Sequence, residues 1–268
     1  MRSKKLFFLI LAALLFGAVS PTYAQTVRLS VAASLANVFK ELTRMFESTH
    51  PGLVVRLNFG SSGSLAKQIA YGAPADLFVS ANSKWMVFLE EQGKTDKNKV
   101  RVFAYNTLVV VGEPARSLSS LNSLSAFKRI ALGSPGSVPA GQYAKQAMDY
   151  AGVYDALLRG HKLIMAKDAR QALLYADRQE VPLAFVYKTD ALLAKTAIIL
   201  YSVPPAFYDR VVYPMALTGT GMKNPAARIF YDFLVRPEVL KILEQYGFEA
   251  GEKAFTSGGS ADGQTPGV

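Results

Sequence analysis

From Val27 onward the chain alternates two hydrophobic rhythms. Short runs rich in Val, Ile and Leu read as strands: VRLSVAA (27–33), LVVRLNF (53–59), ADLFVSA (75–81), NTLVVVG (106–112), RIALG (129–133), HKLIMA (161–166), PLAFVY (182–187), AIILYSV (197–203) and VVYPMALT (211–218). Between them apolar residues recur every three or four positions, the rhythm of an amphipathic helix. SLANVFKELTRMFESTHPG (34–52), SLAKQIAYG (64–72), SKWMVFLEEQG (83–93), AGQYAKQAMDYAG (140–152) and DARQALLYADRQE (168–180) follow it, and a helical turn is expected around LNSLSAF (121–127). The closing stretch NPAARIFYDFLVRPEVLKILEQYGF (224–248) reads as two helices broken at Pro237.

Repeated strand–helix alternation predicts an α/β fold with mostly parallel sheets flanked by helices. Two such stretches are separable, residues 25–107 and 108–205. The terminal segment, 206–250, is expected to return to the first, giving a discontinuous lobe, a second lobe, and two chain crossings beside a cleft where a small ligand would bind.

The ends of the chain change the picture in one respect each. MRSKK, the fourteen apolar residues LFFLILAALLFGAV, and SPTYA have the order of a cleaved secretory leader over residues 1–24. The apolar run falls short of the ~20 residues a spanning helix needs. With no cysteine in the chain, disulfides, thiol catalysis, thiolate metal sites and a lipidated N-terminal cysteine are excluded. A soluble, exported, monomeric protein of the bacterial periplasm is expected. Residues 251–268, rich in Gly, Ser and Pro, read as a disordered tail.

Net charge is +10, and removing Arg2, Lys4 and Lys5 with the leader leaves 27 basic against 20 acidic residues. The excess is dispersed without a basic run, so no nucleic-acid partner is expected. His50 and His161 are the only histidines and stand far apart, which argues against a histidine metal site.

The candidate chemistry lies where strands give way to helices. Small or hydroxyl residues mark four such junctions, VAAS at Ser34, NFGSS at Ser62, GSVPA at Ala140 and MAKDA at Ala169. The first N–H groups of a helix have no partner within it and carry the positive end of its dipole, so several aimed at one point hold an anion without formal charge. For Ser34 and Ser62 plain helix capping competes with ligand contact. Gly60 and Gly63 in NFGSSGSLA allow close backbone approach. The stretch lacks the G-x-S-x-G spacing of a nucleophile elbow, and the P-loop lysine is missing, since Lys67 falls inside the helix. Tyr187, ending a strand, is either a hydroxyl donor or a core residue. Asp76 and Asp190 are expected to brace loops near the cleft, because a carboxylate inside an anion site repels its ligand.

VAASLANVF, NFGSSGSLAKQIAYGAPADLFVSA, GSVPAGQYAKQAM and DARQALLYADRQEVPLAFVYKTDA together resemble the periplasmic molybdate-binding proteins of ABC transporters, in order and at family-like spacing from Val27 to Phe248. The resemblance implies a two-lobed periplasmic-binding-protein fold closing on molybdate or tungstate, no cofactor, no enzymatic activity, and an inner-membrane ABC permease as partner. It further implies that Ser34, Ser62, Ala140, Ala169 and Tyr187 contact the oxyanion, none as a direct ligand of the metal atom, with Ala140 and Ala169 acting through backbone N–H. Ala169 departs from the valine often found there. Three other readings stand beside it: a receptor for sulfate or phosphate, a secreted serine hydrolase, and an iron receptor drawing on the thirteen tyrosines.

Overall fold

The structure, a computed structural model, describes residues 25–251; the leader and the tail beyond Gly251 lie outside the described residues. In chain order its strands are β1 (Gln25–Ala32), β2 (Leu53–Gly60), β3 (Leu77–Val79), β4 (Arg101–Asn106), β5 (Leu108–Gly112), β6 (Ile130–Gly133), β7 (Leu163–Ala166), β8 (Leu183–Tyr187), β9 (Ile198–Ser202), β10 (Val211–Leu217) and β11 (Glu249–Ala250). They form a six-stranded sheet, β11-β4-β10-β3-β1-β2, and a five-stranded sheet, β7-β6-β8-β5-β9. Helices flank both, giving the two-lobed α/β architecture.

Within each sheet one half is parallel: β2, β1 and β3 in the first, β7, β6 and β8 in the second. As wholes the sheets are mixed rather than mostly parallel. β10 runs antiparallel to β3 and β4, β11 to β4, and β5 to β8 and β9. The double crossing is the cause. β4 passes through Thr107 straight into β5 of the other sheet, and β9 returns through residues 203–210 into β10. A chain that enters and leaves each sheet along its edge of contact with the other cannot keep one direction throughout. The hydrophobic rhythm missed β4, whose short run RVFAYN does not alternate and is bounded by Arg101 and Asn106, and the short helix Tyr154–Arg159.

Register aligns the ends that matter. Ala32 at the end of β1 lies beside Gly60 at the end of β2, and Gly133 ending β6 lies beside Ala166 ending β7. Helix Ala36–Thr49 buries Val38, Phe39, Leu42, Thr43 and Phe46, one stripe spaced by three and four residues. Its Phe46 ring meets Phe230 edge-on at 4.8 Å and Phe233 at 5.3 Å, which fixes helix Pro225–Phe233 onto the first sheet. A second helix, Pro237–Gln245, follows the break expected at Pro237.

Phe46 is fully buried in this cluster. Phe46→Ala is therefore expected to cost about 3–5 kcal/mol in urea unfolding and to lower the thermal midpoint by roughly 6–20 °C.

Candidate functional site

The five residues singled out in the sequence lie on one small cavity of about 10 Å3, lined by Ser34, Ser62, Ala140, Ala169 and Tyr187 together with Ala32, Ala33, Gly60, Ser61, Ala81, Val138, Pro139 and Asp168. The topology brings them there. Ser34 follows β1 in the 3-10 turn Ala33–Leu35, and Ser62 opens helix Ser62–Ala70 after β2. Ala140 is the second residue of helix Pro139–Tyr150 after β6, Ala169 opens helix Ala169–Asp177 after β7, and Tyr187 ends β8. All five thus sit at carboxyl ends of parallel strands, two from the first sheet and three from the second. The crevice outside such ends is where open α/β sheets bind ligands.

Hydrogen bonding leaves donors facing this cavity. Ser61, not Ser62, caps its helix, its hydroxyl oxygen accepting from Ser64 N at 3.3 Å. Released from capping, Ser62 Oγ accepts from Ala81 N at 2.9 Å, so its own proton is free to be donated. Ser34 is held by a chain of side chains. Asn106 Oδ1 accepts from Thr107 N at 2.9 Å, which orients the amide, and Asn106 Nδ2 donates to Tyr213 OH at 3.2 Å. Tyr213 OH in turn lies 3.1 Å from Ser34 Oγ, within hydrogen-bond distance, which holds the Ser34 side chain in place. No side chain caps the helix that holds Ala140, and Asp168 caps the next helix only at Gln171 N, leaving the N–H of Ala169 in the unpartnered first turn. Tyr187 is 1 % exposed and its hydroxyl has no hydrogen-bond partner; burial pushes its pKa well above the usual phenol value, so it stays a neutral donor. Among the described residues no Lys or Arg lines the cavity, and its one carboxylate, Asp168, turns Oδ1 to the Gln171 N–H of its own helix. The arrangement suits a compact anion held by neutral donors.

Gly63 has a different task from close approach to the ligand. Its N–H donates to Ser137 O of the second lobe at 3.0 Å, and a Cβ there would stand 2.6 Å from that oxygen and 2.5 Å from the Trp85 ring. Glycine is required because the lobes touch at this point. Further contacts span the cleft: Asn82 Nδ2 donates to Gln142 Oε1, and Tyr143 OH to Ala81 O at 3.4 Å. At Gly60, which lines the cavity, a Cβ would make only ordinary contact with Leu65.

Asp190 is fully buried, with Arg170 Nε 2.7 Å from its carboxylate, and so braces the segment after Tyr187. Asp76 braces elsewhere: its Oδ2 accepts from Arg28 N at 2.7 Å, between β1 and β3, and it does not line the cavity. Sequence reasoning missed Tyr213, Asn106 and Arg170, which reach Ser34 directly or through one another and carry no motif of their own. It also missed a tyrosine cluster, Tyr143, Tyr187, Tyr208 and Tyr213, with rings 5.9–6.5 Å apart. Tyr143, Tyr208 and Tyr213 hydroxyls are engaged with Ala81 O, Leu108 N and Ser34, and burial raises the pKa of all four. Phenolate ligation of iron is disfavoured in such a setting. Neither histidine lines the cavity, so Ser62 has no imidazole base.

Residues 27–249 match the family model described as bacterial extracellular solute-binding protein. The molybdate-binding protein ModA of Escherichia coli is 36% identical over 247 residues, covering 88% of this chain and 95% of that protein. ModA of Haemophilus influenzae is 33% identical, covering 90% and 97%. Among solved structures, the periplasmic molybdate-binding protein of Azotobacter vinelandii superposes with a TM-score of 0.73 over 83% of this chain and 98% of that one, at 22% identity, a likeness of fold.

Two outcomes follow from the geometry. Gly63→Ala, which forces the lobes apart at Ser137, is expected to weaken binding of the cognate anion at least tenfold in calorimetric titration. For Asp190, burial raises the carboxyl to about 6 against the opposing pull of Arg170. The folded state therefore holds this proton more tightly than the unfolded chain, whose value is near 3.8. That stability is full below about pH 4 and is lost as pH rises through about 6. Urea unfolding should show wild type gaining on Asp190→Asn between pH 7 and pH 4.5, and a difference moving the other way contradicts this assignment.

Proposed function

The chain belongs to the bacterial extracellular solute-binding protein family, and from that premise we propose that it is a receptor that binds molybdate and tungstate and delivers them to an inner-membrane ABC permease. The reading extends to an exported, monomeric periplasmic protein whose leader is removed after Ala24, with residues 25–107 and 206–250 as one lobe and 108–205 as the other. It turns over no substrate and needs no cofactor. The observation that carries it is the convergence of Ser34, Ser62, Ala140, Ala169 and Tyr187 on one cavity with the Tyr187 hydroxyl unpartnered and no cation in the lining. The molybdate-binding relatives named above support molybdate as the anion.

Neutral donors also account for selectivity. Sulfate matches molybdate in charge and shape but is smaller, so a lysine or arginine attracts both alike. A ring of donors fixed at molybdate size leaves some unpaired around sulfate, and each buried unpaired donor costs about 1–3 kcal/mol. Two such losses are roughly 2–6 kcal/mol, a tens- to ten-thousand-fold preference. Because donors come from both lobes, the anion bridges the cleft and favours the closed form by its differential affinity for it.

Isothermal titration of the protein lacking its leader with molybdate, tungstate, sulfate and phosphate tests this reading. Saturable heat with the first two alone is expected. Tighter binding of sulfate or phosphate than of molybdate overturns it in favour of a receptor for another tetrahedral anion.

A further inference from the structure

We propose that Arg170 is a positioning residue for the anion site, a clamp that sets the distance between the Ser34 segment of one lobe and the Ala169 and Tyr187 segments of the other. This rests on the reading of the site as an oxyanion receptor and adds to it a residue that touches no ligand. Arg170 follows Ala169 in the first turn of its helix, so its backbone belongs to the second lobe. Its Nη2 donates to the carbonyl oxygen of Ser34, in the first lobe, at 3.2 Å. Its Nε lies 2.7 Å from Oδ1 of Asp190, which is fully buried three residues beyond Tyr187. One guanidinium thus ties together three of the six chain segments that bear on the cavity.

The geometry of the ion pair points the same way. An arginine free to choose its partner meets a carboxylate fork to fork, with two aligned hydrogen bonds. Here a single close approach joins the two groups, Arg170 Nε to Asp190 Oδ1 at 2.7 Å. The other arm of the guanidinium, Nη2, spans the cleft to the Ser34 carbonyl at 3.2 Å. Arg170 itself does not line the cavity, and Asp190 balances its charge. It can therefore govern cavity size without adding a cation that would attract every anion alike.

Ser34 is in consequence anchored twice, by Tyr213 at its hydroxyl and by Arg170 at its carbonyl. Removing the second anchor frees the Ser34 turn and loosens the ring, which should harm the larger, better-fitted anion more than the smaller one. The molybdate-to-sulfate preference should therefore shrink along with molybdate affinity, an effect that a general loss of stability does not produce.

The experiment compares wild type, R170M and R170M/D190N by calorimetric titration with sodium molybdate and sodium sulfate, and by thermal unfolding without added anion. R170M leaves the Asp190 carboxylate buried and unpaired, so it can fail to fold; the double variant removes both charges together and should unfold near the wild-type temperature. The expected result is a double variant of near-native stability that binds molybdate roughly ten- to hundredfold more weakly, with a reduced preference over sulfate. A stable double variant with wild-type affinity and preference overturns the role of Arg170 while leaving the receptor reading intact. If wild type itself fails to bind molybdate, the receptor reading fails, and the positioning role falls with it.

Discussion

An anion held without a counter-charge can be held only if every nearby proton is aimed at it, and much of this structure serves that single constraint. Backbone N–H groups are aimed by placing helix starts at the carboxyl ends of parallel strands, where β1, β2, β6 and β7 deliver them at matched height. Hydroxyl protons are aimed less directly. A serine near a helix start normally turns its oxygen to a backbone N–H, yet here Ser61 takes the capping duty and Ser62 is released. Ser62 then receives a proton from Ala81 N, which leaves its own free, and Ser34 is held at its hydroxyl by Tyr213. Two of the five residues come from the first sheet and three from the second, so the cavity they line belongs to neither sheet alone.

Closure depends on a second physical requirement, that two backbones come within hydrogen-bond distance across a cleft. Gly63 meets it by having no side chain at the point of contact with Ser137. Its neighbour Trp85, the one tryptophan of the chain, packs against it with Lys67 and Lys84 5.7 and 5.5 Å from the indole. The serine- and glycine-rich loop therefore divides its work residue by residue: Ser61 caps, Ser62 is freed toward the cavity, and Gly63 meets the opposite lobe.

Much of this was legible in the sequence because it is local. A strand–helix junction with small residues has a signature within five positions, and all five residues expected to face the ligand do share one cavity. The relation between elements was less legible. β4 escaped notice because RVFAYN alternates poorly, and the mixed character of the sheets follows from crossings that leave no local mark. Asn106, Tyr213 and Arg170 lie in unremarkable sequence. They matter through partners between 107 and 179 residues away, such as Ser34 and Tyr213, which no periodicity can reveal. Gly63 was recognisable as a point of close approach, but whether it approached a ligand or the other lobe needed the fold.

The central claim is that a tetrahedral oxyanion sits among neutral donors supplied by both lobes. Crystals grown with molybdate and measured at the molybdenum absorption edge test it most directly, since the anomalous signal locates the metal atom independently of the protein. The account predicts one strong peak inside the cavity bounded by Ser34, Ser62, Ala140, Ala169 and Tyr187, with no Lys or Arg nitrogen within hydrogen-bond distance of the anion. A peak outside that cavity, or an anion bound directly to the Arg170 guanidinium, contradicts it.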